Sequence, residues 1–93
     1  MTNPEGDLAK CREEIERIDA DIIELLAKRI HAVHRAWNVK TAAGMPVRDI
    51  AREAAVLDKC AAAAETAGLP SDEVKNLFRG IIELSFAARP RTS

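Results

Sequence analysis

The longest stretch without Gly or Pro, residues 7–43, is the feature that most limits how this chain can fold. These 37 residues lie between Gly6 and Gly44, and their apolar side chains recur at alternating spacings of three and four, as on one face of an α-helix. A helix of this length spans roughly 55 Å, whereas a compact protein of 93 residues is about 30–35 Å across. We therefore expect a second chain to cover the apolar stripe, in an obligate homodimer. The stripe consists of Leu8, Cys11, Ile15, Ile18, Ile22 and Leu25, widened by Leu26.

The composition predicts one all-α domain over residues 1–93. The chain is 47% hydrophobic but only 3% aromatic, and its abundant Ala, Leu, Ile, Glu, Lys and Arg favour helix over sheet. A formal net charge of −1 gives no basic field for nucleic acid. No apolar run approaches the ~20 residues of a membrane span. The first residues lack the pattern of a signal peptide, so we expect a cytoplasmic protein.

Prolines and glycines divide the chain into three helices joined by short turns. Helix one ends at the Gly44-Met45-Pro46 turn, with Gly at the stop and Pro just beyond. Helix two starts at the N-cap residue Asp49 and runs to about Ala67, before Gly68. Helix three opens around residues 70–73, where Asp72 and Glu73 suit the helix dipole.

The cysteines and histidines suggest neither a disulfide nor a metal site, and no cofactor is expected. Cys11 lies on the apolar stripe, where a buried small hydrophobe is the usual interpretation, and a disulfide with Cys60 is not expected in a reducing compartment. His31 and His34 are three residues apart, near Trp37. Two histidines alone make a poor metal site, so a solvated or interface face is expected there.

Cationic residues interrupt the apolar face of helix one. The stripe reaches Arg29 where an apolar residue is due, and Lys40 lies 11 residues later, within ~20° of the same face and about 16 Å along the axis. The two side chains could bind one small anion or extend into solvent. Arg12 lies ~25 Å from Arg29 along the helix. It could approach the anion only from the partner chain of an antiparallel dimer.

Polar residues at the start of helix two and the end of helix three complete the candidate site. Asp49, Arg52 and Glu53 lie in the first turn of helix two, a suitable place for an anion or a hydroxyl. Capping and local ion pairs would explain Asp49 equally well. Ser85 and Arg89 share one face of helix three, although a Ser late in a helix is usually just tolerated.

Together these residues form a recognisable pattern, in the same order and spacing as in a known family. The sequence resembles the AroQ class of chorismate mutases over about residues 8 to 89, and that family folds as an intertwined all-α homodimer of three-helix protomers. The matching segments are Arg12-Glu13-Glu14-Ile15-Glu16-Arg17-Ile18-Asp19, Leu25-Leu26-Ala27-Lys28-Arg29, Lys40, Pro46-Val47-Arg48-Asp49-Ile50-Ala51-Arg52-Glu53, Gly68-Leu69-Pro70 and Ile81-Ile82-Glu83-Leu84-Ser85.

The resemblance implies two shared active sites that convert chorismate, a dicarboxylate, to prephenate. By this resemblance, Arg29 and the partner subunit's Arg12 would bind the two carboxylates. Lys40 would contact a carboxylate and the ether oxygen of the breaking bond. This Claisen rearrangement is intramolecular and needs no nucleophile, metal or proton transfer. Cations that hold the chair-like conformer and stabilise charge on the ether oxygen are sufficient, and the fork of Arg matches a carboxylate.

The resemblance also assigns roles to the remaining polar residues. Glu53 and the start of helix two around Asp49 would hold the ring hydroxyl, Arg52 would orient nearby groups, and Ser85 would touch a carboxylate. At Arg89 the family usually has Gln, or sometimes Glu, as a second partner for the ether oxygen. Arg can donate a hydrogen bond there, but the proline that follows disfavours helical geometry. The departure bears on efficiency or on substrate identity.

Three alternatives to a chorismate mutase remain. Isochorismate-pyruvate lyase shares the AroQ fold, but that branch does not keep the Arg-Glu pair that is present here as Arg52-Glu53. A mutase of 4-amino-4-deoxychorismate is disfavoured by the hydroxyl-binding Glu53. A non-catalytic helical dimer would explain the stripe but not Arg29 and Lys40.

Overall fold

The structure, a computed structural model, describes residues 3–88 as three α-helices joined by short turns. The helices are α1 (Pro4–Ala42), α2 (Ile50–Thr66) and α3 (Ser71–Ala87). No strand occurs within the described residues, and none of their helices has the length and apolar character needed to cross a membrane. The predicted all-α fold of three helices is confirmed.

The first helix begins earlier than its sequence pattern predicts. Asn3 is the N-cap, and its side chain accepts a hydrogen bond from the backbone N–H of Gly6 at 3.3 Å. Pro4 occupies the first turn, where its missing N–H has no helical partner to lose. The expected boundary at Gly6 is therefore wrong, because a good cap precedes it. At the other end, Gly44 adopts a φ of 70° and ends the helix as predicted.

The boundaries of α2 and α3 lie close to the predicted ones. Asp49 is the N-cap of α2, and its Oδ1 accepts a hydrogen bond from the backbone N–H of Arg52 at 3.0 Å. Gly68, with a φ of 76°, follows the end of α2. Asp72 and Glu73 lie in the first turn of α3, where their charge suits the helix dipole.

The core lies between α2 and α3 and is small. Ala64 of α2 and Ile82 of α3 are buried, and an ion pair of 3.2 Å between Lys75 and Asp58 also joins these helices. The second half of α1 packs against α3. Leu77 of α3 is 62% exposed, so the apolar side chains of this helix are only partly covered within this chain.

The first half of α1 projects away from this core. The described chain measures 66 × 35 × 16 Å and has a radius of gyration of 17.8 Å, against about 12 Å for a compact protein of this length. No residue of α1 is buried, and Cys11, expected to be buried, is exposed. The apolar stripe, which was predicted to need a second chain, is thus not covered by other parts of the same chain. Its members Leu8, Ile15, Ile18, Ile22 and Leu25 are 48–62% exposed.

The two glycines Gly68 and Gly80 give a matched test of backbone strain. A Cβ at either position would meet nothing within 4 Å among the described residues, but only Gly68 has a positive φ. We expect Gly68→Ala to lower the free energy of unfolding by about 1–2 kcal/mol, and Gly80→Ala to raise it by about 0.5–1 kcal/mol. Urea denaturation measures both. Destabilisation by Gly80→Ala would mean that a neighbouring chain approaches this backbone.

Candidate active site

A cavity of about 480 Å³ lies where the second half of α1, residues 47–49, the start of α2 and the end of α3 meet. This volume is in the range of small-molecule binding sites. Apolar side chains form much of its wall, among them Val33, Ala36, Val56 and Ile82. The cavity brings together six of the eight residues predicted for the site, namely Arg29, Lys40, Asp49, Arg52, Glu53 and Ser85.

Cations outnumber acids in the cavity wall. Among the residues that the structure describes, Arg29 and Arg52 take part in no ion pair. Lys40 Nζ donates a hydrogen bond to the backbone carbonyl of Val47 at 3.2 Å, so that its ammonium keeps two further N–H donors. Unpaired cations among apolar side chains favour the binding of a small anion.

Glu53, by contrast, is already paired. Its Oε2 accepts a hydrogen bond from Arg48 Nε at 3.0 Å and its Oε1 one from Arg48 Nη2 at 2.8 Å. The same Nη2 donates to Glu83 Oε1 at 2.6 Å. The hydrogen bonds to Glu83 and Glu53 raise the pKa of the Arg48 guanidinium above its ordinary value. Nothing in the local helix pattern indicates the contact of Arg48 with Glu83, 35 residues away, and no sequence motif gave Arg48 a role.

A stack of three rings and one guanidinium runs beside the cavity. The ring centroids of His34 and Trp37 are 4.8 Å apart, as are those of Trp37 and Phe86. The guanidinium carbon of Arg48 lies 4.5 Å from the centre of the Phe86 ring. The stack therefore connects α1, α3 and the segment before α2. No sequence pattern indicated Phe86, because its contact with Trp37 joins residues 49 positions apart.

Ser85 contributes little accessible surface to the cavity. It is 1% exposed, and its hydroxyl donates to the carbonyl of Ile81 at 3.5 Å. Its own carbonyl accepts a hydrogen bond from His34 Nε2 at 2.9 Å, which satisfies one of the carbonyls left open at a helix end. His34 is thus half-buried against α3 of its own chain, whereas His31 is exposed, as expected for a solvated face.

The two remaining predicted residues are not part of this cavity. Arg12 lies on the exposed half of α1, about 25 Å from Arg29 along the helix. Arg89 lies outside the residues that the structure describes. No cluster of three or more potential metal ligands occurs within residues 3–88.

Fold and cavity together define an all-α protein with a cation-rich site for a small molecule. Residues 11–89 match the family model described as chorismate mutase type II. The match covers most of the chain, and the chain belongs to this family, as its sequence resemblance predicted.

Two of the curated relatives are much longer than the present chain. The chain is 30% identical over 83 residues to the T-protein of Enterobacter agglomerans and covers 22% of it. It is 38% identical over 80 residues to a bifunctional chorismate mutase/prephenate dehydratase of Buchnera aphidicola and covers 21% of it. These alignments cover 89% and 86% of the present chain, which thus spans about a fifth of those proteins.

A third relative is similar in length. The isochorismate pyruvate lyase of Pseudomonas aeruginosa is 40% identical over 85 residues, which cover 88% of this chain and 82% of that protein. The chain is thus similar, at 38% and 40% identity, both to a protein named as a mutase and to one named as a lyase.

The hydrogen bond from His34 to Ser85 can be tested against a matched histidine. We expect His34→Ala to lower the free energy of unfolding by about 2 kcal/mol, because it removes a partner of the Ser85 carbonyl and a stacked ring. His31→Ala, on the same helix but exposed, should change it by less than about 0.5 kcal/mol. Urea denaturation measures both, and equal effects would contradict a structural role for His34.

Proposed function

We propose that this chain is a chorismate mutase, which converts chorismate to prephenate in the shikimate pathway of aromatic amino acid biosynthesis. The main support is the cavity, whose cationic side chains lie among apolar walls. Such a site suits a small dicarboxylate whose reaction needs confinement and charge stabilisation. Family membership agrees with this chemistry.

The charges of the cavity fit a dianion when a second chain contributes. Arg29, Lys40 and Arg52 line the cavity with two acids, and the partner subunit's Arg12 would add a fourth cation. In this arrangement Arg29 and the partner subunit's Arg12 bind the two carboxylates, each by a bidentate fork. Ser85 reaches a carboxylate only through its small accessible fraction.

The reaction then follows from the groups around the bound ring. Lys40 has N–H donors left for the ether oxygen, where negative charge develops as the C–O bond breaks. Glu53 and the start of α2 around Asp49 accept and hold the ring hydroxyl, and Arg52 orients the neighbouring groups. Arg89 supplies a second donor to the ether oxygen. No proton is transferred and no cofactor takes part.

The site is complete only in a homodimer. The stripe of α1 leaves its apolar residues about half exposed, and Arg12 lies too far from the cavity of its own chain. A second copy whose α1 runs antiparallel would cover the stripe and bring its Arg12 to this cavity. We further infer a single domain and a cytoplasmic location, in line with the free cysteines Cys11 and Cys60.

An isochorismate-pyruvate lyase is the second candidate, because a relative of that name shares 40% identity over 82% of its length. Both reactions would use a bound dicarboxylate and an ether oxygen that gains charge. The retained Arg52-Glu53 pair favours the mutase.

Direct product analysis separates these candidates. Purified protein is incubated with chorismate and, separately, with isochorismate, and the products are identified by NMR. We expect prephenate from chorismate, because the cavity has cations, Arg29 and Lys40, for the carboxylates. It also has an acid, Glu53, for the ring hydroxyl. Pyruvate and salicylate from isochorismate alone would identify a lyase. If neither substrate gave a product, both enzymatic proposals would be contradicted.

Subunit mixing tests the shared site. We expect Arg12→Ala and Arg29→Ala each to lower kcat/KM by about 100-fold or more, since each removes a charge-assisted pair with substrate. Dimers that contain one chain of each variant should regain activity. One of their two sites then has both an intact Arg12 and an intact Arg29.

The control for mixing is Lys28→Ala, an exposed neighbour of Arg29, which should keep full activity. Sedimentation verifies the dimer, and an affinity tag on one of the two variants verifies the exchange of subunits when the untagged variant is purified with it. No regained activity after complete exchange would contradict sites shared between subunits.

A further inference from the structure

We propose that Arg48 is a positioning residue that fixes the Glu53 carboxylate in the cavity wall, with Glu83 and Phe86 fixing Arg48 in turn. This inference rests on the proposed function, in which Glu53 holds the substrate's ring hydroxyl. It adds a residue outside the main cavity lining whose effect on the reaction passes through Glu53.

The geometry of the pair fixes the plane of the carboxylate. Nε and Nη2 of Arg48 donate to the two oxygens of Glu53 at 3.0 and 2.8 Å, a bidentate arrangement that sets both position and orientation. Each carboxylate oxygen accepts more than one hydrogen bond. Glu53 can therefore be held by Arg48 and still accept a hydroxyl from a ligand.

Arg48 is itself restrained from two further directions. Its Nη2 donates to Glu83 Oε1 at 2.6 Å, and its guanidinium lies over the ring of Phe86 at 4.5 Å. Phe86 stacks on Trp37, and both rings line the cavity. An isolated exposed ion pair gains little, because two flexible side chains must be ordered. Here Arg48 is ordered once and interacts with two carboxylates and an aromatic ring, so the entropy lost per interaction is smaller.

Two physical effects on the reaction follow from this arrangement. Glu53 is ordered before substrate arrives, so that binding does not have to immobilise it. Its negative charge is also compensated by Arg48, which weakens its repulsion of a substrate with two carboxylates. Both effects favour binding of the substrate with its hydroxyl on Glu53.

The test compares Arg48→Ala, Arg48→Lys and Glu83→Gln with a matched control. Lys75→Ala removes an ion pair between α3 and α2, with Asp58, outside the cavity lining. Steady-state kinetics with chorismate give kcat and KM for each protein, and thermal denaturation reports how much of each is folded. Production of prephenate by the wild type is measured in the same assay.

We expect Arg48→Ala to raise KM and lower kcat/KM by about 10- to 100-fold. Arg48→Lys should recover only part of the loss, because an ammonium keeps the charge without the fork. Glu83→Gln should lose about two- to fivefold in kcat/KM and have no further effect when Arg48 is already Ala. Lys75→Ala should stay within about twofold of the wild type.

The outcomes separate this role from the function on which it rests. A wild type that makes no prephenate overturns the proposed function, and the positioning role with it. Prephenate from the wild type with an unchanged KM in Arg48→Ala overturns the positioning role alone. Full activity in Arg48→Lys overturns the bidentate fork as the cause. A lower kcat at unchanged KM, with less folded protein, would also overturn it, since that is the result of a purely structural residue.

Discussion

The uncovered apolar stripe on the first half of α1 is the constraint on which the rest of this molecule depends. The chain's own core consists of little more than the contact between α2 and α3, with Ala64 and Ile82 buried. A small chain that buries so little is marginal by itself. Covering the stripe would remove a large apolar area from water, at about 25 cal/mol per Å². Folding and association are then one process, which is why we propose a homodimer.

The length of α1 also determines how a site could be assembled. Its second half supplies Arg29 and Lys40 to the cavity of its own chain, while its first half carries Arg12 about 25 Å away. An antiparallel second copy would bring together cations that the helix keeps apart. The proposed reaction suits such an arrangement, because it needs well-placed charges and confinement rather than a nucleophile or a metal.

Helical periodicity and turn residues predicted the three helices and the cap at Asp49, because these depend on local spacing. The long-range contacts could not be predicted in this way. Arg48 meets Glu83 and His34 meets Ser85 across 35 and 51 residues, and helical spacing carries no information about such pairs. Burial of Ser85 depends likewise on how α3 packs. The predicted start of α1 after Gly6 was wrong, because the N-cap at Asn3 starts the helix before that glycine.

The cavity contains two kinds of polar group, and the difference bears on how a small protein can hold a substrate in one conformation. Lys40 and Glu53 are held by hydrogen bonds within the chain, whereas Arg29 and Arg52 have no ion-pair partner within residues 3–88. In the proposed reaction, Arg29 would take its partner from a substrate carboxylate, and that ion pair would supply binding free energy. The restrained groups Lys40 and Glu53 would then contact the ether oxygen and the hydroxyl without reorganising. Binding energy at one end of the substrate is thereby spent on orientation at the reacting end.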